Sequence, residues 1–131
     1  MKKIMADDKK RILIAEDEKP MAKILSMKLE HSGFAVTTVH NGEDAVSALE
    51  SDTYDLVLLD LIMPKKDGFQ VLTDIKAKGI SVPVIVTSNL SKEMEVAQAK
   101  EMGAIDYLVK TNVNLSEIVS RINAFFSGES S

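Results

Sequence analysis

Apolar and polar positions along the chain follow two periods that take turns. Ile12-Leu13-Ile14-Ala15 is apolar at every position and stops at Glu16-Asp17-Glu18. A run with no polar face predicts a strand covered on both sides, as in a parallel sheet. From Glu18 to Ser32 the spacing becomes helical, with Met21, Ile24, Leu25 and Leu29 in register, Pro20 in the first turn and Gly33 just past the end. Phe34 to Val39 predicts a second strand, weakened by two threonines, and Asn41-Gly42 opens a short helix with Ala45, Ala48 and Leu49 on one face. Leu56 to Leu59 is the most apolar strand, and a polar loop through Pro64 and Gly68 leads to a helix over Phe69 to Lys78. That helix turns Leu72 and Ile75 inward and ends at Gly79. Pro83 begins a fourth strand, Val84-Ile85-Val86, at a position where proline is tolerated. Ser91 to Met102 predicts a less amphipathic helix lined by Met94, Ala97 and small residues. Tyr107-Leu108-Val109 is a fifth strand, and the last helix carries Leu115, Ile118, Val119, Ile122 and Phe126 on one stripe behind Asn114 as cap.

Strands alternating with helices predict an α/β domain with a parallel sheet and helices on both faces. Right-handed crossovers place every strand's carboxyl end on one edge, and in open sheets of this kind ligands bind beyond that edge, where strand order reverses. The residues at those ends are Glu16 and Asp17, Asp60, Thr87 and Lys110.

Composition narrows the function classes. With 131 residues, 45% of them hydrophobic, the chain has the size and apolar content of one domain. We expect a polar leader over 1–9, the folded domain over 10–127 and a flexible tail over 128–131. The absence of cysteine removes disulfides, thiolate metal sites and a Cys nucleophile. The charged N-terminus lacks the apolar run of a signal peptide, and no stretch reaches the roughly 20 apolar residues needed to span a bilayer. A cytoplasmic protein without membrane contact is expected. Sixteen basic residues against twenty acidic give a net charge of −4, with the lysines scattered, so direct binding to nucleic acid is not expected.

Taken singly, the strand-end residues have ordinary readings. Asp60 alone is a loop cap, Lys110 a solvated lysine, Thr87 a residue leaving the sheet, and Glu16-Asp17-Glu18 an acidic helix start favoured by the macrodipole. Together they supply acid, acid, hydroxyl and amine at one edge. Three converging carboxylates repel one another, and burial raises their pKa values unless a positive charge intervenes. An all-oxygen donor set without His or Cys favours Mg²⁺, with Mn²⁺ the alternative. Glu16 and Asp17 would hold the ion, and Asp60 could give it one oxygen while presenting the other as a nucleophile toward phosphorus. Lys110 and Thr87 would then stabilise the phosphoryl oxygens.

At this point the chain resembles the CheY-like response-regulator receiver domains of two-component signalling. The matching segments are I-L-I-A-E-D-E, D-L-I-M-P-K-K-D-G, V-I-V-T-S and D-Y-L-V-K, in order and spacing over about Lys10 to Phe126. The resemblance implies a flavodoxin-like (βα)5 fold, doubly wound, with strand order 2-1-3-4-5. It implies that Asp60 is the phosphoacceptor, served by a sensor histidine kinase or a histidine phosphotransfer protein. Glu16, Asp17, Asp60 and the backbone carbonyl of Ile62 would bind the metal, and Thr87 and Lys110 would hold the phosphoryl group. Thr87 and Tyr107 would form the switch, with output to a downstream protein through the face of the fourth helix, fifth strand and fifth helix. Such a chain is a signalling module, not an enzyme, catalysing only its own phosphorylation and dephosphorylation. Turning a population from mostly inactive to mostly active takes a differential of about 5.5 kcal/mol, which charge-assisted contacts to one phosphoryl group could largely supply.

The chain also departs from the family pattern. Thr111 follows Lys110 where a proline, often in a cis bond, is usual; a trans turn with a displaced Lys110, or a strained bond, is expected. Glu16 stands where Asp is more frequent. Ile62 and Asn89, each two positions beyond a site residue, are expected to modulate phosphoryl lifetime; Ile62 has no polar group to guide an attacking water, so self-hydrolysis should be slow. Competing readings are a receiver fold acting as a phosphorylation-independent scaffold, a Mg-dependent aspartyl-phosphate phosphatase, and a flavodoxin. The phosphatase lacks its acid/base Asp, since that position is Ile62, and the flavodoxin lacks its hydroxyl-rich phosphate loop. With no effector domain after the last helix, the chain reads as a stand-alone receiver or a fragment of a longer regulator.

Overall fold

The computed structural model describes residues 9–128. Residues 1–8 of the expected leader and 129–131 of the expected tail lie outside the described residues. Five strands alternate with five helices: β1 Arg11–Ala15, α1 Lys19–His31, β2 Ala35–Val39, α2 Gly42–Ser51, β3 Leu56–Leu59, α3 Gly68–Ala77, β4 Val84–Ser88, α4 Glu93–Glu101, β5 Asp106–Val109 and α5 Leu115–Ser127. All pairings are parallel and the strand order is β2-β1-β3-β4-β5, as the resemblance implied.

The strands are apolar at consecutive positions because the pleat sends alternate side chains into two different cores. Ile12, Ile14, Leu56, Leu58, Ile85 and Leu108 meet Leu25 and Leu29 of α1 and Ile118 and Ile122 of α5. Leu13, Ala15, Val57, Leu59, Val84, Val86 and Tyr107 meet α2, α3 and α4. The chain winds one way from β1 to β2 and the other way from β3 to β5, so the reversal lies between β1 and β3. There Ala15 pairs with Leu59, which sets Glu16 and Asp60 side by side at the carboxyl edge.

Two helix faces differ from the sequence expectation. In α1, Ala22 faces inward with Leu25 and Leu29, while Ile24 is 45% exposed. In α4, Met94 is 82% exposed, Ala97 is also exposed, and only Ala99 is fully buried, flanked by Val96 and Met102. Two residues turn an α-helix by about 200°, so a helix that seats Val96 on the sheet must put Met94 on its far side. The caps agree better. Asn114 accepts from the Glu117 amide at 2.9 Å while the Glu117 side chain reaches back to the Asn114 amide, closing a capping box.

Candidate functional site

The site begins one residue past the strands. The Asp60 amide donates to the Ala15 carbonyl at 3.0 Å and the Glu16 amide to the Val39 carbonyl at 3.0 Å, so both backbones are held by the sheet although both side chains stand beyond it. The Lys110 amide is likewise held by the Ser88 carbonyl at 2.9 Å. Glu16 and Asp60 are almost fully buried, at 2% and 4% exposure. One oxygen from each of Glu16, Asp17 and Asp60 falls within a 4.8 Å cluster, with Asp17 the most open of the three.

The Lys110 ammonium closes the cluster, donating to Glu16 Oε1 at 2.5 Å and to Asp60 Oδ2 at 3.0 Å. The second oxygens are also engaged: Glu16 Oε2 accepts from the Glu18 amide at 3.1 Å and Asp60 Oδ1 from the Ile62 amide at 3.2 Å. Burial pushes the Glu16 carboxyl above the usual carboxylate range, with the Asp60 charge adding to the rise, and the Lys110 hydrogen bond offsets this only in part. For Lys110 burial works downward, but the bonds to Glu16 and Asp60 outweigh it and hold the ammonium above the ordinary lysine value. Among the described residues one cation faces two buried carboxylates and a third at the rim, which leaves surplus negative charge. All-oxygen donors with that surplus fit a hard divalent cation.

The loop from β3 to α3 depends on backbone geometry that side-chain patterns do not display. The Lys66 amide bonds the Pro64 carbonyl at 2.7 Å across Lys65, whose φ is 67°, a tight γ-turn in the left-handed region. Gly68 starts α3 against this loop: a Cβ there would lie 2.5 Å from the Asp60 carbonyl oxygen and 2.7 Å from Leu61 Cα. Gly42 at the start of α2 is pressed as closely, with a Cβ meeting the Lys66 carbonyl oxygen at 2.0 Å. In the sequence Gly42 is only a helix opener, because an Asn-Gly pair carries no signal for a partner 24 residues away.

The expected residues divide as follows. Glu16, Asp17, Asp60 and Lys110 come together. Thr87 is the penultimate residue of β4, beside β3, is 3% exposed, and lines with Lys110 a groove of about 570 Å³ that runs between α1 and α5. Tyr107 is buried, its hydroxyl donating to the Leu90 carbonyl at 2.6 Å, and burial raises its pKa. Asn89 is exposed, and Ile62 turns its side chain to solvent at 54% exposure while its amide serves Asp60. No peptide bond among the described residues is cis, so Lys110-Thr111 is trans. With this trans bond the flexible Lys110 stem carries its ammonium to both carboxylates.

Comparison with known proteins agrees with this geometry. The model of the response regulator receiver domain matches residues 12–123. An uncharacterized transcriptional regulatory protein of Bacillus subtilis, YkoG, is 34% identical over 117 residues, covering 89% of this chain and 51% of its own length. The chain thus spans about half the length of that relative. The receiver domain of the Francisella response regulator 1452 superimposes with a TM-score of 0.84 at 28% identity, over 90% of this chain and 97% of its own. A CheY of Borrelia burgdorferi, solved in complex with CheX, BeF3 and Mg²⁺, gives a TM-score of 0.82 at 30% identity, over 89% of each chain. Among the described residues no helix is long and apolar enough to cross a membrane. A family match over nearly the whole chain, the 2-1-3-4-5 sheet and the acidic cluster at its reversal point agree: the chain belongs to the response regulator receiver domain family of two-component signalling.

Proposed function

We propose that Asp60 receives a phosphoryl group from the phosphohistidine of a sensor histidine kinase or a histidine phosphotransfer protein, and that the change is read by a partner protein. The observation that carries this reading is the placement of the Asp60 carboxylate, buried at the reversal point with one oxygen on the Lys110 ammonium and within 4.8 Å of Glu16 and Asp17 oxygens. In the transfer, an Asp60 oxygen forms a bond to phosphorus as the P–N bond of phosphohistidine breaks. The electron pair of that bond stays on the imidazole nitrogen, which takes up a proton. Lys110 stabilises the transferring oxygens and holds the accepting carboxylate in place. Thr87 offers its hydroxyl from the neighbouring strand.

Glu16, Asp17, Asp60 and the Ile62 carbonyl would hold Mg²⁺, or Mn²⁺ as the alternative, which when bound neutralises charge on the carboxylates and the phosphoryl oxygens. Ile62 and Asn89 flank the site and would set the lifetime of the acyl phosphate. Thr87 and Tyr107 would carry the response to the face of α4, β5 and α5, where the exposed Met94 and Ile105 suit contact with a protein rather than with nucleic acid. In this reading residues 10–127 are the receiver unit, working in the cytoplasm.

Incubation with acetyl phosphate and Mg²⁺ followed by intact mass tests it. The parent should gain one phosphoryl group, Asp60→Asn none, and Ile62→Asn should lose the label faster than the parent. Label that survives Asp60→Asn, or none on the folded parent, would exclude Asp60 as acceptor.

A further inference from the structure

Ser88 lies between two residues with assigned tasks, Thr87 and Asn89, and has none in the reading above. In the fold it is the last residue of β4, completely buried, and on the opposite sheet face from Thr87. A hydroxyl at zero exposure needs partners. Its Oγ accepts a hydrogen bond from the Leu90 amide at 3.2 Å and also faces the Tyr107 hydroxyl, which donates to the Leu90 carbonyl at 2.6 Å. One residue of the β4–α4 connection is therefore pinned on both sides, from β4 through its N–H and from β5 through its C=O. Its side chain packs against the core on the α2, α3 and α4 face. The neighbouring strands are joined here by backbone as well, since the Lys110 amide bonds the Ser88 carbonyl at 2.9 Å.

We propose that Ser88 is a positioning residue for the switch: by fixing the Leu90 peptide it presents the Leu90 carbonyl to Tyr107 and holds the Tyr107 ring inward before any phosphoryl group arrives. The Leu90 N–H and C=O belong to successive peptide planes: Ser88 holds the first, Tyr107 the second, and the Leu90 side chain seated against the core limits rotation between them. Without the Ser88 acceptor the connection gains freedom, and the inward ring loses a prepared partner. Ser88 thus sets how far the resting equilibrium leans toward Tyr107-in. Its meaning as a switch rests on the phosphoacceptor reading, but the coupling itself is a property of the unmodified chain.

The test uses the unmodified full chain. The two tyrosines, Tyr54 and Tyr107, are replaced biosynthetically by 3-fluorotyrosine, and Tyr54→Phe and Tyr107→Phe assign the two fluorine signals. In Ser88→Ala the Tyr107 signal should move toward the solvent-exposed position, and the Leu90 amide should exchange about fivefold faster, the worth of one net hydrogen bond. Tyr107→Phe should speed Leu90 exchange by a similar factor with Ser88 intact, because coupling between the two ends is reciprocal. An unchanged Tyr107 signal in a folded Ser88→Ala protein overturns the proposal. If Ser88→Ala does not fold, Tyr107→Phe decides: faster Leu90 exchange upholds the latch and an unchanged rate overturns it. None of these measurements involves phosphoryl transfer, so an inert Asp60 and a missing latch are told apart.

Discussion

The two ends of the sheet both gather carboxylates around one basic side chain, with opposite consequences. At the amino end Arg11 makes a two-point bond to Asp52, at 2.7 and 2.6 Å, and lies 5.0 Å over the Tyr54 ring, while its amide donates to Asp55 at 2.7 Å. Those side chains stay wet, at 39% and 50% exposure for Arg11 and Asp52. At the carboxyl end the Lys110 side chain is 10% exposed, between almost fully buried Glu16 and Asp60. Water screens the first group and leaves it a fastening without conflict. The second is desolvated and short of positive charge, an arrangement that costs stability unless something cationic joins it. The difference separates a clasp that holds the fold from a cluster that invites chemistry.

The comparison breaks most visibly if the Lys110 ammonium is removed. Lys110→Met should lose about 3 kcal/mol at neutral pH, because two buried carboxylates are left facing each other, and urea denaturation measures it. The loss should shrink as pH falls. Glu16 is already raised by burial, so the folded variant binds a proton more readily than the unfolded chain, and stability rises on acidification. Added Mg²⁺ should recover part of the loss in Lys110→Met; a stability indifferent to both pH and Mg²⁺ would mean that the carboxylates do not interact.

A smaller effect is expected from the backbone under the site. Gly68→Ala forces a Cβ to within 2.5 Å of the Asp60 carbonyl oxygen, and the required shift should cost about 1–3 kcal/mol and slow labelling of Asp60 by acetyl phosphate. Full stability together with full labelling would mean that α3 retreats without moving the loop.

The amino end should give the smallest response. The Arg11 guanidinium holds the Asp52 carboxyl down at about 2, so what the pair contributes is present above the ordinary carboxylate range and lost only as pH falls toward that value. Carboxyl NMR should find the low midpoint, moving up toward the ordinary range as salt is added. Asp52→Asn should leave labelling of Asp60 unchanged; a change would show that the two ends communicate.

Much of this is legible in the sequence. Continuous apolar runs such as Leu56 to Leu59 identified strands covered on both faces, because only a doubly covered sheet tolerates them. The position of Asp60, Glu16 and Lys110 at the ends of such runs placed them on one edge. Helix faces were read well where the stripe is wide, as in α5, and misread in α4, which buries only Ala99. With so little apolar contrast along α4, the sequence alone does not say which face meets the sheet. The close approaches of Gly42 and Gly68 and the positive φ of Lys65 were invisible for a different reason: they depend on where a distant backbone passes.

By itself, the sequence determined the alternation of elements, the two-sided burial of the strands and the set of chemical groups at the strand ends, since each follows from local periodicity and from which side chains interrupt it. Tertiary structure alone decided that Lys110 reaches both Glu16 and Asp60, that the Tyr107 hydroxyl bonds the Leu90 carbonyl, and that the Ser88 hydroxyl takes the Leu90 amide. Those facts depend on distances between segments far apart in the chain, and such distances exist only once the sheet has brought its edges together.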